Sequence, residues 1–350
     1  MHHRPVQLTV AIVLNLLAVS SARTQIVPSR IPFSKPVAGI VINSSLNRVY
    51  VVAPSFWGHG DFLAVIDGQS DKIIATVPLA TGAYLPAINP LTNRIYIASC
   101  NSYKTPLRCF VAVLDGNDNK VIASIPVTNT EGNGIQGIAV DPVIDKVYIA
   151  NASDNVINVI DGHTNKLAET ISINGESPYS IAIDPFNRRL YVPLGDDQLE
   201  VIDTRSDRIL STLTAGKANI FAGANLNTGE VLVIDTGFRP SATQDPNTED
   251  FVTQEPPETA SVLVFSHQDK LLARIQVGAS PNALDIDTVT NLSFVINTSA
   301  HTVTVIDGKT RRVATTIRNI EGNFIAVNAK TGKVYIAGSH GVTVIREDSR

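Results

Sequence analysis

The chain has 350 residues, a formal net charge of −4, 17% charged residues and 44% hydrophobic residues. This composition is too apolar and too weakly charged for a disordered protein, and the lack of a basic excess argues against a dedicated nucleic-acid binder. Two cysteines are too few for a disulfide scaffold or a cysteine-rich zinc module.

Residues 1–22 have the pattern of a secretory signal peptide. A polar and basic start, His2-His3-Arg4, precedes an apolar run of twelve residues from Leu8 to Val19, and the small residues before position 23 favour cleavage after Ala22. The alternative is a buried N-terminal helix, because the run is too short to span a bilayer. We therefore expect a mature domain over residues 23–350, without a membrane span, in the periplasm or outside the cell.

One sequence unit recurs seven times in the mature chain. The unit has an apolar run that ends in Asn or Asp, a polar turn, an apolar run with Tyr, a loop, Val-Ile-Asp-Gly and a last apolar run. Some copies are degenerate, with Leu232 and Phe294 at the Tyr position and Ser266 and Arg346 at the Asp position. Successive Val-Ile-Asp positions are mostly 39 to 48 residues apart, with one gap of 63. Four β-branched runs per unit, without helical spacing, predict an all-β fold: a seven-bladed β-propeller of four-stranded antiparallel blades. We name the strands of a blade a to d, from the axis outwards.

The two ends of the chain predict how the ring closes. The last unit stops after Val344-Ile345 and lacks strand d. Strand d elsewhere has apolar residues at offsets 0, 4 and 6, as in Val121, Ile125 and Val127, and the same spacing precedes the first blade from Val27. The N-terminal strand is therefore predicted to complete blade seven.

These repeats resemble a known family. Asn-Arg-Ile-Tyr-Ile-Ala, Val-Ile-Asp-Gly and Thr-Asn-Lys recur in register over nearly all of residues 24–346 and are similar to the YVTN-type β-propeller repeat of bacterial periplasmic and archaeal surface-layer proteins. The resemblance implies a propeller fold and an exported protein. Blade five departs from the pattern, and the family's members are too varied to imply one activity.

Four segments are longer than the repeat requires: 54–61, 100–109, 128–134 and 237–260. All are predicted to lie on the face formed by b–c loops and d–a connections, here called the inserted face, where a rigid scaffold usually carries its binding residues. In an oxidising compartment Cys100 and Cys109 should form a disulfide. Residues 237–260 are acidic and proline-containing, which predicts a flexible flap without regular structure. A calcium site there is an alternative without supporting ligand spacing.

A ring of residues is predicted at the mouth of the central pore. Counting five residues back from the Asn or Asp that ends each strand a gives Ala38, Tyr84, Gln136, Tyr179, Ile220, Asn282 and Asn323. The predicted ligand-binding residues are Tyr84, Gln136, Tyr179, Asn282 and Asn323, with Trp57 from an inserted loop. They suit a small molecule, a peptide or an envelope protein. The alternative is a water-filled channel without a ligand.

Histidines provide one metal hypothesis. His59, His301 and His340 lie in b–c loops of adjacent blades and are candidate ligands for a transition metal. Such loops tend to be too far apart to share a metal ion, which favours the alternative of exposed turn residues. No other cofactor is predicted.

The leading functional hypothesis is an exported, monomeric binding or interaction module that does not bind nucleic acid. The alternatives are a propeller enzyme, metal-assisted or lyase/hydrolase-like, with its site at the pore mouth, and a structural protein of the cell envelope. No catalytic motif selects the enzyme.

Overall fold

The computed structural model describes residues 28–54, 60–101, 108–128, 132–175, 177–194, 197–216, 218–237, 242–244, 251–253 and 259–346. Within these ranges the regular secondary structure consists of β-strands, in seven four-stranded antiparallel sheets and one two-stranded sheet. No helix in the described part of the chain is long and apolar enough to cross a membrane.

Each sheet is one blade. Blades one to four contain β2 (Gly39–Asn43), β3 (Arg48–Ala53), β4 (Asp61–Asp67), β5 (Lys72–Leu79); β6 (Ala83–Asn89), β7 (Arg94–Asn101), β8 (Arg108–Asp115), β9 (Lys120–Thr128); β10 (Ile135–Asp141), β11 (Lys146–Asn151), β12 (Val156–Asp161), β13 (Lys166–Ser172); and β14 (Ala182–Asp184), β15 (Arg189–Pro193), β16 (Gln198–Asp203), β17 (Arg208–Thr214). Blades five to seven contain β18 (Asn219–Asn225), β19 (Glu230–Asp235), β22 (Ser261–Phe265), β23 (Leu271–Gln276); β24 (Pro281–Asp287), β25 (Leu292–Asn297), β26 (Thr302–Asp307), β27 (Arg312–Arg318); and β28 (Phe324–Asn328), β29 (Lys333–Gly338), β30 (Gly341–Arg346), β1 (Ser29–Pro32).

The seven blades form a closed ring, as predicted. Strand a of each blade contacts strand a of the next, including β28 of blade seven with β2 of blade one. The apolar core lies between neighbouring blades. For example, Tyr50 and Leu63 of blade one pack with Ile95 and Leu114 of blade two, and all four side chains are almost fully buried.

The N-terminal strand closes the ring, which confirms the closure prediction. β1 pairs antiparallel with β30, from Ser29 opposite Val344 to Pro32 opposite Gly341. Ile31 is 6% exposed and packs with Val342 and Val344. Blade seven therefore combines strands from both ends of the chain.

The repeated basic residue and Tyr of strand b hold neighbouring blades together. Lys333 Nζ, at the start of β29, donates to both carboxylate oxygens of Asp71 at 2.8 and 2.9 Å, in the c–d turn of blade one. Tyr335 Oη donates to the same carboxylate at 2.8 Å. In the c–d turn of the next blade, Lys146 and Arg189 bond to the carboxylates of Asp207 and Asp269, whereas Arg48 and Arg94 donate to the carbonyls of Gly116 and Gly162. Between blades five and six the charges are reversed, and Glu230 accepts from Arg311. We call these contacts the inter-blade latches.

A second ring of contacts joins the ends of strands a. Asn43, Asn89, Asn225 and Asn328 each donate through Nδ2 to Asn93, Asp145, Asn291 and Asn47, respectively, in the a–b turn of the next blade, at 2.6 to 2.9 Å. Three strands a end in Asp instead of Asn, at Asp141, Asp184 and Asp287. In the blade that follows each of them, the turn position that elsewhere accepts this bond is occupied by Arg188, Gly229 and Gly332, respectively. All seven acceptor-position residues have positive φ.

The insertion in blade five is partly regular. Ala242–Gln244 (β20) pairs antiparallel with Phe251–Thr253 (β21). The expectation of a segment without regular structure was wrong for these residues, because they form a short ladder of backbone hydrogen bonds. The remainder of the predicted flap between 238 and 258 lies outside the described residues, as does the predicted signal peptide.

Candidate functional site

The b–c loops and d–a connections lie on one face, and the a–b and c–d turns lie on the other. The predicted disulfide is present on the inserted face, between Cys100 and Cys109, which are directly opposite each other on β7 and β8. The bond joins the two strands at the base of the inserted b–c loop of blade two. It therefore fixes the position at which that loop leaves the blade.

A central cavity lies where the seven strands a meet, towards the inserted face. Its volume is about 130 Å³. Every blade contributes to its wall, through the residue four positions before the Asn or Asp that ends strand a: Gly39, Leu85, Gly137, Ser180, Phe221, Ala283 and Phe324. The wall is mainly apolar, and the side chains of Gln136 and Ser180 supply polar groups.

The cavity wall is displaced by one residue from the predicted ring. Of the seven ring residues, Gln136 lines this cavity and the others do not. The strands a of blades two, three, five and six contain β-bulges near this position, and Leu85 has a φ of 43°. A bulge breaks the strict alternation of side chains. In blade two the consecutive residues Leu85 and Pro86 both face the cavity. The strands a of blades one and seven have no bulge, and they also line it with consecutive residues, Gly39 with Ile40 and Phe324 with Ile325.

The side chain of Tyr84 is bonded within the protein and does not line the cavity. Its hydroxyl donates to the Ile135 carbonyl at 2.7 Å, accepts from the Ile135 backbone N–H at 3.1 Å, and lies 3.0 Å from Cys100 Sγ. Burial raises the pKa of Tyr84 to about 12. The side chain thus connects the disulfide of blade two to strand a of blade three, directly beside Gln136.

The other predicted binding residues are spread around the mouth. Gln136 is half-buried and donates to the Asn133 carbonyl at 2.6 Å. Asn282 donates to the Asn323 carbonyl at 2.8 Å, so these two residues are adjacent. Tyr179 is 41% exposed. Trp57 lies outside the described residues, and ligand binding by the whole set stays a prediction.

The metal hypothesis also stays a prediction. His301 and His340 are exposed in the b–c turns of blades six and seven, and His59 lies outside the described residues. Among the described residues, no group of three or more His, Cys, Asp or Glu side chains is arranged to hold a metal ion.

An acidic side chain that the sequence analysis missed joins two strands at the axis. Asp285, on β24, accepts the Val327 backbone N–H of blade seven at 2.7 Å and the Ile286 backbone N–H at 2.8 Å. Burial raises the pKa of Asp285 to about 6, although the two N–H donors act in the opposite direction. The corresponding positions of the other blades are Val41, Ala87, Ala139, Ala182, Gly223 and Ala326. An acidic residue where the other six blades have an apolar or small residue could have been recognised from the sequence as a special site.

The Asp285 carboxyl makes stability depend on pH. Its folded pKa of about 6 lies above the unfolded value of about 3.9, so the folded protein binds this proton more tightly. Its stabilising contribution is complete below about pH 4 and is lost as the pH rises through about 6. Relative to Asp285→Asn, we expect the free energy of unfolding of the unmodified protein to fall by on the order of 2 kcal/mol from about pH 4 to about pH 7.

Urea unfolding of both proteins across this pH range measures the difference. Asp161→Asn is a suitable control, because hydrogen bonds from the Thr164 and His163 backbone hold the pKa of Asp161 below its usual value. The stabilising contribution of Asp161 is present above its unfolded pKa and is lost only at lower pH. The difference in free energy of unfolding between the unmodified protein and Asp161→Asn should therefore stay nearly constant over the same pH range. If the difference in free energy of unfolding between the unmodified protein and Asp285→Asn did not change with pH, the raised pKa of Asp285 would be contradicted.

Comparisons with known proteins support the architecture. A scan against protein-family models finds no match. The chain is 29% identical over 205 residues to the uncharacterized protein YncE of Salmonella typhimurium, across 57% of this chain and 53% of that protein. It is 33% identical over 115 residues to the uncharacterized protein YncE of Escherichia coli K12, across 28% of this chain and 33% of that protein. The chain therefore spans about half the length of the Salmonella relative, and less of the E. coli one.

A solved structure matches nearly the whole chain. Hydrazine synthase of Kuenenia stuttgartiensis superposes with a TM-score of 0.70 and 17% sequence identity, covering 92% of this chain and 99% of that one. At this level of identity the likeness establishes the fold alone.

Proposed function

We propose that this protein is an exported binding module of the YVTN type, whose partner docks on the inserted face and places one apolar group in the central cavity. The observation that carries the proposal is the convergence of all seven blades on one mainly apolar cavity. Ligand sites in proteins are typically concave and apolar, with few polar groups that set orientation.

The size of the cavity limits what enters it. An engineered apolar cavity of about 150 Å³ holds one benzene molecule. The 130 Å³ here accommodates a single small aromatic or branched aliphatic group. Phe221 and Phe324 supply flat apolar contact, while Gln136 and Ser180 can hydrogen-bond to a polar atom beside that group. A peptide end or a small molecule with an apolar head has this chemistry.

Two observations support an exported module. The disulfide between Cys100 and Cys109 is of a kind that persists in oxidising compartments. Residues 1–22 have the sequence pattern of a secretory signal, followed by the single propeller domain proposed for residues 23–350. The recurring Asn-Arg-Ile-Tyr and Val-Ile-Asp-Gly elements support membership of the YVTN repeat family.

The proposed site is tested by filling the cavity. Ala283 is 5% exposed and lies in the cavity wall, so Ala283→Phe places a ring in the space that a ligand would occupy. We expect the unmodified protein to bind indole or phenylalanine-terminated dipeptides saturably, in a thermal-shift screen followed by calorimetry. In Ala283→Phe the affinity should fall about tenfold or more.

The matched control changes the opposite face. His163 and His267 are exposed in c–d turns, and the double variant His163→Ala, His267→Ala should leave probe affinity unchanged. Binding that survives in Ala283→Phe, or that is lost in the histidine control, would contradict the proposed site. A far-ultraviolet circular dichroism spectrum of each variant checks that the propeller is intact.

A further inference from the structure

The face opposite the cavity mouth carries a ring of exposed apolar side chains. Six a–b turns present seven of them: Leu46, Leu91, Val143 together with Ile144, Phe186, Leu226 and Val289. Leu91, Phe186 and Val289 are 71% to 74% exposed. In the described c–d turns of the same face, no large hydrophobic side chain is exposed. The apolar side chains of the a–b turns form a ring around the axis, here called the apolar ring. The polar c–d turns surround it, and beyond them the first residues of strands d carry further exposed apolar side chains: Ile73, Val121, Leu167, Leu271 and Val313.

The a–b turns that carry the apolar ring are held to one another. Asn43 bonds to Asn93 and Asn328 bonds to Asn47, each across a blade boundary. Lys330 Nζ also reaches the Ser45 carbonyl at 3.1 Å. At four of the seven blade boundaries such a bond holds the a–b turn in place. Contact with a flat surface would order few additional side chains, which reduces the entropy lost on binding.

Among the described charged side chains around the apolar ring, those that are fully exposed are mostly cations. In the described a–b turns the exposed charged residues are Arg188 and Lys330, and the acidic Asp145 is buried. On the described c–d turns and the adjacent ends of strands d, the exposed cations include Lys72, Lys120, Lys166, Arg205, Lys270 and Lys309. Among these described residues, Asp118 is the one fully exposed acid. The first residue of five c–d turns is a half-buried acid that accepts hydrogen bonds from its own turn: Asp67, Asp115, Asp161, Asp203 and Asp307.

We propose that the apolar ring is a docking surface for an anionic lipid membrane. Side chains at the tips of several turns enter the headgroup region, while the surrounding Lys and Arg side chains contact anionic headgroups. The charge pattern argues against a second copy of the chain as the occupant, because two such faces would bring like charges together. Exposed apolar patches with a polar rim are typical of such contact sites. Docked in this way, the propeller presents its cavity mouth away from the membrane.

Vesicle flotation with the mature protein tests the proposal. We expect partition into phosphatidylcholine vesicles that contain about 30% phosphatidylglycerol to exceed partition into pure phosphatidylcholine by at least about tenfold, and to decrease with salt. The triple variant Leu91→Ser, Phe186→Ser, Val289→Ser should lower partition into anionic vesicles by about a hundredfold or more. The charge-reversal variant Arg188→Glu, Lys330→Glu should reduce the preference for anionic vesicles by at least about fivefold.

A matched control changes exposed apolar residues elsewhere. Ile74, Ile122 and Leu272 lie on strands d at the outer edge of the blades and are 41% to 53% exposed. The triple variant Ile74→Ser, Ile122→Ser, Leu272→Ser should partition like the unmodified protein. In Phe186→Trp, added fluorescence should shift to shorter wavelength with anionic vesicles, because the new indole enters the interface.

Three results would overturn the proposal: no preference of the unmodified protein for anionic vesicles, an equal loss in the control triple variant, or an unshifted Phe186→Trp spectrum. Sedimentation equilibrium provides a fourth. A dimer of the unmodified protein that the Leu91, Phe186, Val289 variant abolishes would identify the apolar ring as a self-association surface instead.

Discussion

Removal of residues 24–34 is expected to lower the free energy of unfolding by more than about 4 kcal/mol, or to prevent folding. The deletion removes β1, exposes the edge of β30, and uncovers the cluster in which Ile31 packs with Val342 and Val344. An unpaired edge strand also invites association with other chains. Urea unfolding followed by circular dichroism measures the loss, and size-exclusion chromatography detects aggregation.

Two point substitutions within β1 separate packing from strand pairing. Ile31 is 6% exposed, so Ile31→Ala should cost about 2–4 kcal/mol. The neighbouring Arg30 is exposed on the same strand, and Arg30→Ala should change stability by less than about 0.5 kcal/mol. Equal effects of the two substitutions would show that the ring closure does not depend on the buried side chain.

Lys333→Ala is expected to cost about 3–5 kcal/mol, because it leaves the Asp71 carboxylate partly buried without its cation. Lys333 Nζ donates to the Gly68 carbonyl at 2.8 Å and the Gln69 carbonyl at 3.1 Å as well as to Asp71. Only 5% of its side chain is exposed, so solvent does not replace these bonds. Thermal and urea unfolding at constant pH measure the change.

The control for this latch lies in the preceding turn. Lys330 is exposed and bonds to a single carbonyl, so Lys330→Ala should change stability by less than about 0.5 kcal/mol. Lys333 and Ile31 both act at the boundary between blades seven and one. The double variant Lys333→Ala, Ile31→Ala should therefore lose less free energy of unfolding than the sum of the two single losses. Once one substitution has disrupted the contact between blades seven and one, the second has fewer interactions left to remove. Additive losses would show that the two contacts act independently.

Most of the fold could be predicted because one unit repeats. Tyr50, Tyr96 and Tyr148 recur with the same neighbours, so the strand count and blade number follow from periodicity alone. The partner of Lys333 could not be predicted, because a repeated basic residue does not show which neighbouring blade it reaches. The pairing of β20 with β21 was missed for a different reason: acidic and proline-rich composition describes the segment as a whole and hides a short hairpin within it.

The candidate site could be predicted less well, because it depends on backbone detail. The cavity wall contains Leu85, Phe221 and Phe324, one position away from the residues counted from the strand ends. A bulge with positive φ at a non-glycine residue such as Leu85 has no reliable sequence signal. The disulfide was predictable, since Cys100 and Cys109 are the two cysteines of the chain and flank one hairpin.

The pairing between strand ends and the turns that follow them makes the blades non-interchangeable, although their backbones are alike. Asn89 donates to Asp145, so a blade ending in Asp141, Asp184 or Asp287 placed before that turn would set two carboxylates against each other. Asp184 faces Gly229 of the next blade, where a Cβ atom would lie 2.8 Å from Asn187 Nδ2, so a larger residue is disfavoured at this position. These two boundaries thus favour some neighbouring blades over others. In a chain of seven similar units, such pairings distinguish the correct neighbour of a blade from the other blades, which disfavours misfolded states in which blades exchange places.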